Sequence, residues 1–581
     1  MNNRFLILLL LLVCNVHAQY VTTNTELTNA INAASAGSTI TLKNQTWTNV
    51  QININKNGNL ASPITIKAET PGSVFFEGVT NVKMGGSYIY FEGVVFRNPP
   101  TTVSTSTPLI DFKASSTDCN NCKVTNIKID AFNQGASQQT SVFKWILLRG
   151  ANNEISYCSF LGKHGVGSII NDNRETTIAN YHKIHHNYFA NRTPQGTSAV
   201  NDDNDQDAIR IGSSSTSLSD SFTEVYNNYF YNFVGEIEII SNKSGSNKYY
   251  NNTFEDYSGS LTLRHGDNCE VSNNFFLAKG HSFSGGVRVM GENHKIYNNY
   301  VEGTVAKYPN NNSTSGLAGI NIHNGILNSP LNGYYQVKNA TIVNNTFVNC
   351  DLGIRVGATF NSTQDQPPLN IVVGNNIMYQ NINRAIQVTT QLTGAASKYE
   401  NNIKQNGTFD SFGSATATGN INVTSGLLNS GSDFYRIISG SAAIGYGLGT
   451  YAFLTEDITG GARPTSYDAG AEEYNAGGTI VPYKQSDVGV KVGFGASNTL
   501  SNSENIYEKA AFKIYPVPTK DELIISSQMG AMKYLQIFDL TGKLLLKRTI
   551  NSNTAKIDVQ SFSKGVYVLE VDGFKSRFVV N

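Results

Sequence analysis

One six-residue pattern recurs along the middle of the chain. It reads Ile184-His-His-Asn-Tyr-Phe189, Val225-Tyr-Asn-Asn-Tyr-Phe230, Tyr249-Tyr-Asn-Asn-Thr-Phe254, Val271-Ser-Asn-Asn-Phe-Phe276, Ile296-Tyr-Asn-Asn-Tyr-Val301, Ile342-Val-Asn-Asn-Thr-Phe347 and Val372-Val-Gly-Asn-Asn-Ile377. Asn228, Asn252, Asn274 and Asn299 follow one another in steps of 24, 22 and 25 residues. A period of that size belongs to a solenoid in which each repeat is one coil. Asparagine suits the corner of such a coil, because it tolerates left-handed backbone geometry and its amide can stack on the asparagine of the next coil. The leucine consensus of leucine-rich repeats is missing, and a β-propeller blade has a period nearer twice this one. The expectation is an all-β chain built as a right-handed parallel β-helix.

A second ladder runs in step with the first. Its triplets are Ile209-Arg210-Ile211, Ile237-Glu238-Ile239, Leu261-Thr262-Leu263, Val287-Arg288-Val289, Ile320-Asn321-Ile322, Ile354-Arg355-Val356 and Ile386-Gln387-Val388. Residues two apart on a strand share a face, so the flanking apolar residues point into the core and the central ones point out. With neighbouring rungs about 4.8 Å apart, Arg210, Glu238, Thr262, Arg288, Asn321 and Arg355 are expected to line one groove. Arg264, two places after Thr262, shares their face.

The two ends read differently. Arg4, the apolar run Phe5 to Val13 and Ala18 before Gln19 form the pattern of a secretory signal peptide over residues 1–18. Thr23-Asn-Thr-Glu26 is a capping box, followed by Leu27, Ala30, Ile31 and Ala34 at helical spacing, with Gly37 as the stop. Such a helix would cap the open end of the solenoid. The coils are expected over residues 19–475, ending near Asp468-Ala-Gly-Ala471. Residues 476–506, rich in Gly, Ser and Asn, read as closing strands or linker. Short alternating strands from Phe512 to Val580 predict a small C-terminal β-sandwich over residues 507–581. The formal net charge is zero, which gives no ground for nucleic acid or a membrane surface as partner. Cys119 and Cys122 form a lone CxxC that allows a local disulfide but cannot close a four-ligand zinc site; Cys158, Cys269 and Cys350 read as buried small hydrophobes.

The chemistry concentrates in Gly235-Glu-Ile-Glu-Ile-Ile-Ser-Asn-Lys243 and Leu261-Thr-Leu-Arg-His265. Alternation puts Glu236 and Glu238 on one face, and two adjacent carboxylates repel unless a cation neutralises them. Hard oxygen ligands of this kind suit Ca²⁺ better than zinc or copper. The acidic run Asp202-Asp-Asn-Asp-Gln-Asp207 in the preceding coil offers further oxygens from Asn204, Asp205 and Asp207. An open Ca²⁺ beside Lys243 and Arg264 would attract a carboxylated sugar. A uronate polymer can be cleaved by β-elimination: a cation on the carboxylate stabilises the carbanion-like transition state, and a base removes the C5 proton. Lysine serves as that base when burial and nearby positive charge lower its pKa. Arg264 would assist the departing O4 oxygen. Arg210, Arg288, Arg355 and His265 are candidate substrate contacts. His182, His185 and His186 resemble a metal cluster, but His185 and His186 fall at positions of the asparagine ladder, which favours structural roles.

These motifs carry a resemblance. With Asn204-Asp-Gln-Asp-Ala-Ile-Arg-Ile-Gly212, Glu236-Ile-Glu-Ile-Ile-Ser-Asn-Lys-Ser244 and Leu263-Arg-His-Gly266, residues from about 20 to 475 resemble polysaccharide lyase family 6, the alginate lyase and chondroitinase B family. The resemblance implies Glu236, Glu238 and Asn204 as calcium ligands, Lys243 as base and Arg264 as acid, acting on alginate or, less often, dermatan sulfate. The C-terminal stretch, with Tyr515-Pro-Val-Pro518, Asp539, Gly542 and Gly565-Val-Tyr-Val568, resembles the sorting domain of type IX secretion substrates. It implies export and secretion machinery as a partner. A non-catalytic β-helix adhesin or glycan-binding stalk is the reading from another class; it would keep the ladders without needing Lys243 and Arg264 beside the glutamates.

Overall fold

The computed structural model describes residues 18–195, 205–308, 315–380, 383–491, 512–527, 531–539, 543–571 and 574–581. The expected signal peptide therefore lies, but for its last residue, outside the described residues, and so does Asn204.

Three long parallel sheets, of 15, 14 and 14 strands, wind around one core. Each coil contributes one short strand to each sheet, and the asparagine pair sits at the corner between the first sheet and the third. The two asparagines divide the work. The first takes the left-handed region, with φ of 55° at Asn227, 54° at Asn251, 56° at Asn273 and 53° at Asn298. The second is fully buried and forms the ladder: Asn228 donates through Nδ2 to Oδ1 of Asn252 at 3.0 Å, Asn252 to Asn274 at 3.0 Å, and Asn274 to Asn299 at 2.9 Å. The same Nδ2 groups also donate to backbone carbonyls, as Asn252 does to Val225 at 2.9 Å. Each corner thus satisfies backbone groups that the turn would otherwise bury without partners. Phe189, Phe230, Phe254 and Phe276 stack in the core just inside it.

Helix Asn24–Ala33 covers the first coil. Thr23 accepts from the Glu26 backbone N–H at 3.1 Å, Glu26 accepts from the Thr22 backbone N–H, and Leu27, Ala30 and Ile31 are buried. Cys119 and Cys122 form a disulfide, while Cys158, Cys269 and Cys350 are free and buried.

Two expectations are corrected. The coils end at strand Ile421–Asn422, not near Asp468. The chain then folds back along the column of left-handed asparagines, whose free amides donate to it: Asn401 to Tyr446 O, Asn375 to Leu448 O, Asn344 to Asp468 O and Asn298 to Glu456 O. Residues 476–491 are neither strands nor a free linker. They continue this strap, with Tyr483 N donating to Thr253 Oγ1, Val490 N to Ser159 Oγ and Lys491 N to Asn126 Oδ1, and Val488 packs on Tyr188 and Tyr229. A solenoid corner exposes side-chain amides at a regular interval, so any extended segment laid along it finds donors.

The chain divides into two compact units, residues 1–496 and 497–581. The second holds a three-stranded and a four-stranded antiparallel sheet around Leu523, Ile525, Leu535, Ile537, Leu569 and Phe578. Among the described residues no helix is long and apolar enough to cross a membrane.

Candidate active site

The second ladder forms, but with one substitution in the expected column. Arg210 pairs with Ser241, Ser241 with Thr262, Thr262 with Arg288, Arg288 with Asn321 and Asn321 with Arg355. Ser241 therefore holds the rung expected for Glu238. Pairing with strand Ile209–Gly212 is regular and sets Ile209 opposite Ile240, three residues beyond the expected match; on the other side, an irregularity between Glu238 and Ile240 lets Ile239 and Ile240 both be buried and sets Glu238 opposite Ser260. A bulge of this kind re-aims the side chains beside it. Glu236 and Glu238 stand beside it, off the regular column and buried, at 3% and 9% exposure.

Around these carboxylates the cations gather. Glu238 Oε1 lies 3.3 Å from Arg288 Nη1 and 4.0 Å from Arg264 Nε, and its other oxygen accepts from Ser241 Oγ. Burial alone would raise the Glu238 pKa, but Arg288, Ser241, Lys243 and Arg264 together hold it below the usual range. Glu236 behaves oppositely: burial, then Asp207 and Glu238, push it well above, although it accepts from Gln206 N at 2.8 Å. Two neighbouring carboxylates with opposed proton affinities are the arrangement that a divalent cation relieves.

Lys243 ends the glutamate strand and lies opposite Gly212 on one side and His265 on the other. Its pKa is lowered, first by burial and then by Arg210, with Arg264 adding to the effect and Glu238 and Asp207 opposing it. His265 is buried, its pKa lowered to about 4 by burial and by Arg264 and Lys243, so its ring is neutral. Its Nδ1 is 3.4 Å from Ser214 Oγ and its Nε2 3.1 Å from Gly333 O.

Not every expected residue faces the groove freely. Arg210 is ion-paired to Asp205 and Asp207. Arg288 is 2% exposed and also lies 3.4 Å from Thr262 Oγ1. Arg355 donates to Ser315 O at 2.9 Å. The histidines form no metal cluster: His182 is a buried cap accepting from Asn153 N, His186 takes the left-handed corner position, and Asn187, not either histidine, holds the ladder. Among the described residues no group of three or more His, Cys, Asp or Glu side chains is placed to hold a metal; Glu236 and Glu238 would need a further ligand such as Asn204.

Sequence reasoning missed a second tier. Tyr334 covers Arg264 at 4.1 Å, and His323 stacks on Phe360, which in turn lies 5.3 Å from Arg288. Tyr334 and Phe360 sit in loops whose position no strand periodicity announces.

Coils of short parallel strands that present carboxylates and a row of arginines on one sheet define the class: a parallel β-helix of the polysaccharide-lyase type. The chain belongs to the chondroitinase B family, whose model matches residues 21–436. Residues 513–580 match the model described as a secretion system C-terminal sorting domain. Among solved structures, the chain is similar to the PL6-family alginate lyase AlyGC at 30% identity and a TM-score of 0.64, over 73% of this chain and 55% of that one. It is similar to a PL6-family polysaccharide lyase from Pseudopedobacter saltans at 25% identity and a TM-score of 0.58, over 81% of this chain and 99% of that one. A mannuronic acid specific family 6 lyase from human gut microbiota shares the fold at 24% identity and a TM-score of 0.59, over 71% and 92% of the two chains. The chain spans little more than half the length of AlyGC. No curated protein matches it.

Proposed function

We propose that the chain is an exported lyase that cleaves alginate by β-elimination at a uronate, with Lys243 as base and Arg264 assisting the leaving oxygen. The observation that carries this reading is the half-buried Lys243 amine, its pKa lowered, one rung from Arg264 and beside the carboxylate pair. A stalk or adhesin has no use for such a lysine, since burying a cation beside arginines costs stability.

The steps follow from these groups. The free amine of Lys243 takes the C5 proton next to the sugar carboxylate. The electron pair of the C5–H bond becomes the C4–C5 double bond, and the C4–O4 bond breaks. Arg264 stabilises the charge that develops on O4, and a water proton completes the new hydroxyl, because a guanidinium hardly deprotonates. Arg288 and Arg355 would steer neighbouring carboxylates along the groove, and His265, neutral, would offer contact without charge. Glu236 and Glu238 fit a hard divalent cation in burial, charge and donor type; Asn204, outside the described residues, is the third ligand that the family resemblance implies. A Ca²⁺ held there would neutralise the sugar carboxylate and acidify its C5 proton.

AlyGC is named an alginate lyase, which supports alginate as the polymer; the name of the family model supports dermatan sulfate as the second reading. A panel of mannuronate blocks, guluronate blocks and dermatan sulfate, followed through the ultraviolet absorbance of the unsaturated product, decides between them. No absorbance with any uronate polymer would leave the binding stalk. Glu238→Gln should weaken Ca²⁺ binding in calorimetry as well as turnover; unchanged binding would remove the glutamates from the metal site.

A further inference from the structure

Arg264 does not stand free in the groove. A loop that follows strand Ile320–His323, two rungs further along the solenoid, reaches back to it. Arg264 Nη1 donates to Gly333 O at 2.7 Å and Nη2 to Asn332 O at 3.2 Å. Its guanidinium lies 4.1 Å from the centroid of the Tyr334 ring. His265 Nε2 shares the Gly333 carbonyl at 3.1 Å. The two residues of the Arg264-His265 pair are thus held from outside their own coil, by residues 68 and 69 positions later.

The loop is built to keep that grip. Ile326 N donates to Tyr334 O at 2.8 Å, closing residues 326–334 into a tongue, and Gly333 N donates to Pro330 O at 2.8 Å, fixing its tip. At the base, Gly325 and Gln366 exchange backbone hydrogen bonds at 2.8 and 2.9 Å. Gly325 also lies so close to Gln336 that an added Cβ would come within 2.3 Å of the Gln336 Cα. Leu327 and Leu331 on the tongue are exposed, at 63% and 41%; they bury little apolar area, so the tongue's visible work is at its tip.

From this geometry we infer that the tongue 326–334 is a positioning element for the reaction, with Tyr334 as the positioning residue that orients Arg264 towards the leaving oxygen. The inference rests on the role of Arg264 given above and adds what makes that role available. A guanidinium stacked on an aromatic ring and anchored at both Nη groups loses its freedom to rotate. Its Nε lies 4.0 Å from Glu238, and Nη2, with one N–H on Asn332 O, keeps its second N–H for the leaving oxygen. An arginine fixed in advance spends no reorganisation in the transition state. Removing the ring should therefore lower kcat and leave substrate binding largely as it was.

Steady-state kinetics on the full chain test this. Tyr334→Leu keeps the bulk and loses the ring face; kcat should fall about tenfold, the scale of one cation–π contact, with KM changed less than twofold. Tyr334→Phe keeps the face and should stay within about twofold of the parent. Gly325→Ala spreads the base of the tongue and should give the same kcat loss by another route. In an Arg264→Lys background, which retains a trace of turnover, Tyr334→Leu should cost little more, because the two act through one group. Raised KM with unchanged kcat would make Tyr334 a wall of the substrate groove and overturn the inference, as would full additivity with Arg264→Lys. If Arg264→Ala itself keeps normal turnover, the role of Arg264 fails instead, and the two failures are told apart. Should Tyr334→Leu not fold, Gly325→Ala and Tyr334→Phe still decide.

Discussion

At Lys243 the decisive question is whether a buried amine gives up a proton or only carries charge. Lys243→Ala should abolish nearly all turnover while substrate and Ca²⁺ still bind, since the loss falls on the transition state. Lys243→Arg should not rescue, because guanidinium keeps its proton; near-normal turnover in that variant would reduce Lys243 to a carboxylate clamp. A second residue pair lies away from the groove, inside the solenoid. Asp172 and His182 are both fully buried, with His182 Nε2 3.7 Å from an Asp172 oxygen. His182 Nδ1 accepts from Asn153 N, so a neutral ring carries its proton on Nε2, facing the carboxyl. Arg174 and, at longer range, Tyr249 are the other titratable groups that act on Asp172. Burial pushes the Asp172 pKa up from 3.8 to about 7 and the His182 pKa down from 6.5 to about 3. The stability Asp172 contributes is complete below its unfolded value and is lost as pH rises towards 7; that of His182 is complete above 6.5 and is lost as pH falls towards 3. Asp172→Asn should therefore gain stability over the parent progressively between pH 4 and 7, and hold that gain above. Melting curves across this range check it; a gain that is flat with pH would mean that Asp172 does not titrate there.

The asparagine ladder is the element that makes a coil of this sequence possible. Each second-position asparagine joins three coils: Asn252 Oδ1 accepts from Asn228, and its Nδ2 donates to Asn274 and to Val225 O. Asn252→Ala would leave several buried partners unsatisfied, at about 1–3 kcal/mol each, so a loss of about 3 kcal/mol or more is expected in denaturant unfolding. Asn251→Ala, at the neighbouring left-handed position, should cost less, since it introduces mainly backbone strain. The ladder was legible in the sequence, because its spacing repeats. The division of labour within each pair was not, because both residues are asparagine and only the backbone angle tells them apart. The strap was equally hidden. Residues 446–491 follow no repeat of their own; their path is set by the amides that the coils present to them.

For the molecule as a whole, all the site residues described here lie in the first compact unit, residues 1–496, and the second, with its own core, matches a sorting domain. Removing residues 507–581 should leave lyase turnover and melting temperature of the first unit nearly unchanged, while blocking export in a host with the matching secretion system. A folded but inactive truncation would mean that the sorting unit contributes to the site. The sequence alone determined what depends on local pattern. A period of 22 to 25 residues forces coils, alternation separates core from surface, and residues two apart must share a face; hence the β-helix, the carboxylate pair and the nearness of Lys243 and Arg264. Only the tertiary structure decided what depends on register and on loops. The glutamate strand pairs three residues further on than the triplets suggest, so that Ser241 and not Glu238 stands opposite Arg210, and one irregularity between Glu238 and Ile240 re-aims the side chains beside it. Asp205 and Asp207 pair with Arg210. A tongue from 69 residues further on fixed Arg264. A bulge changes direction without changing composition, and a loop's landing place is set by what it meets after the coils have stacked, so neither leaves a periodic mark in the chain.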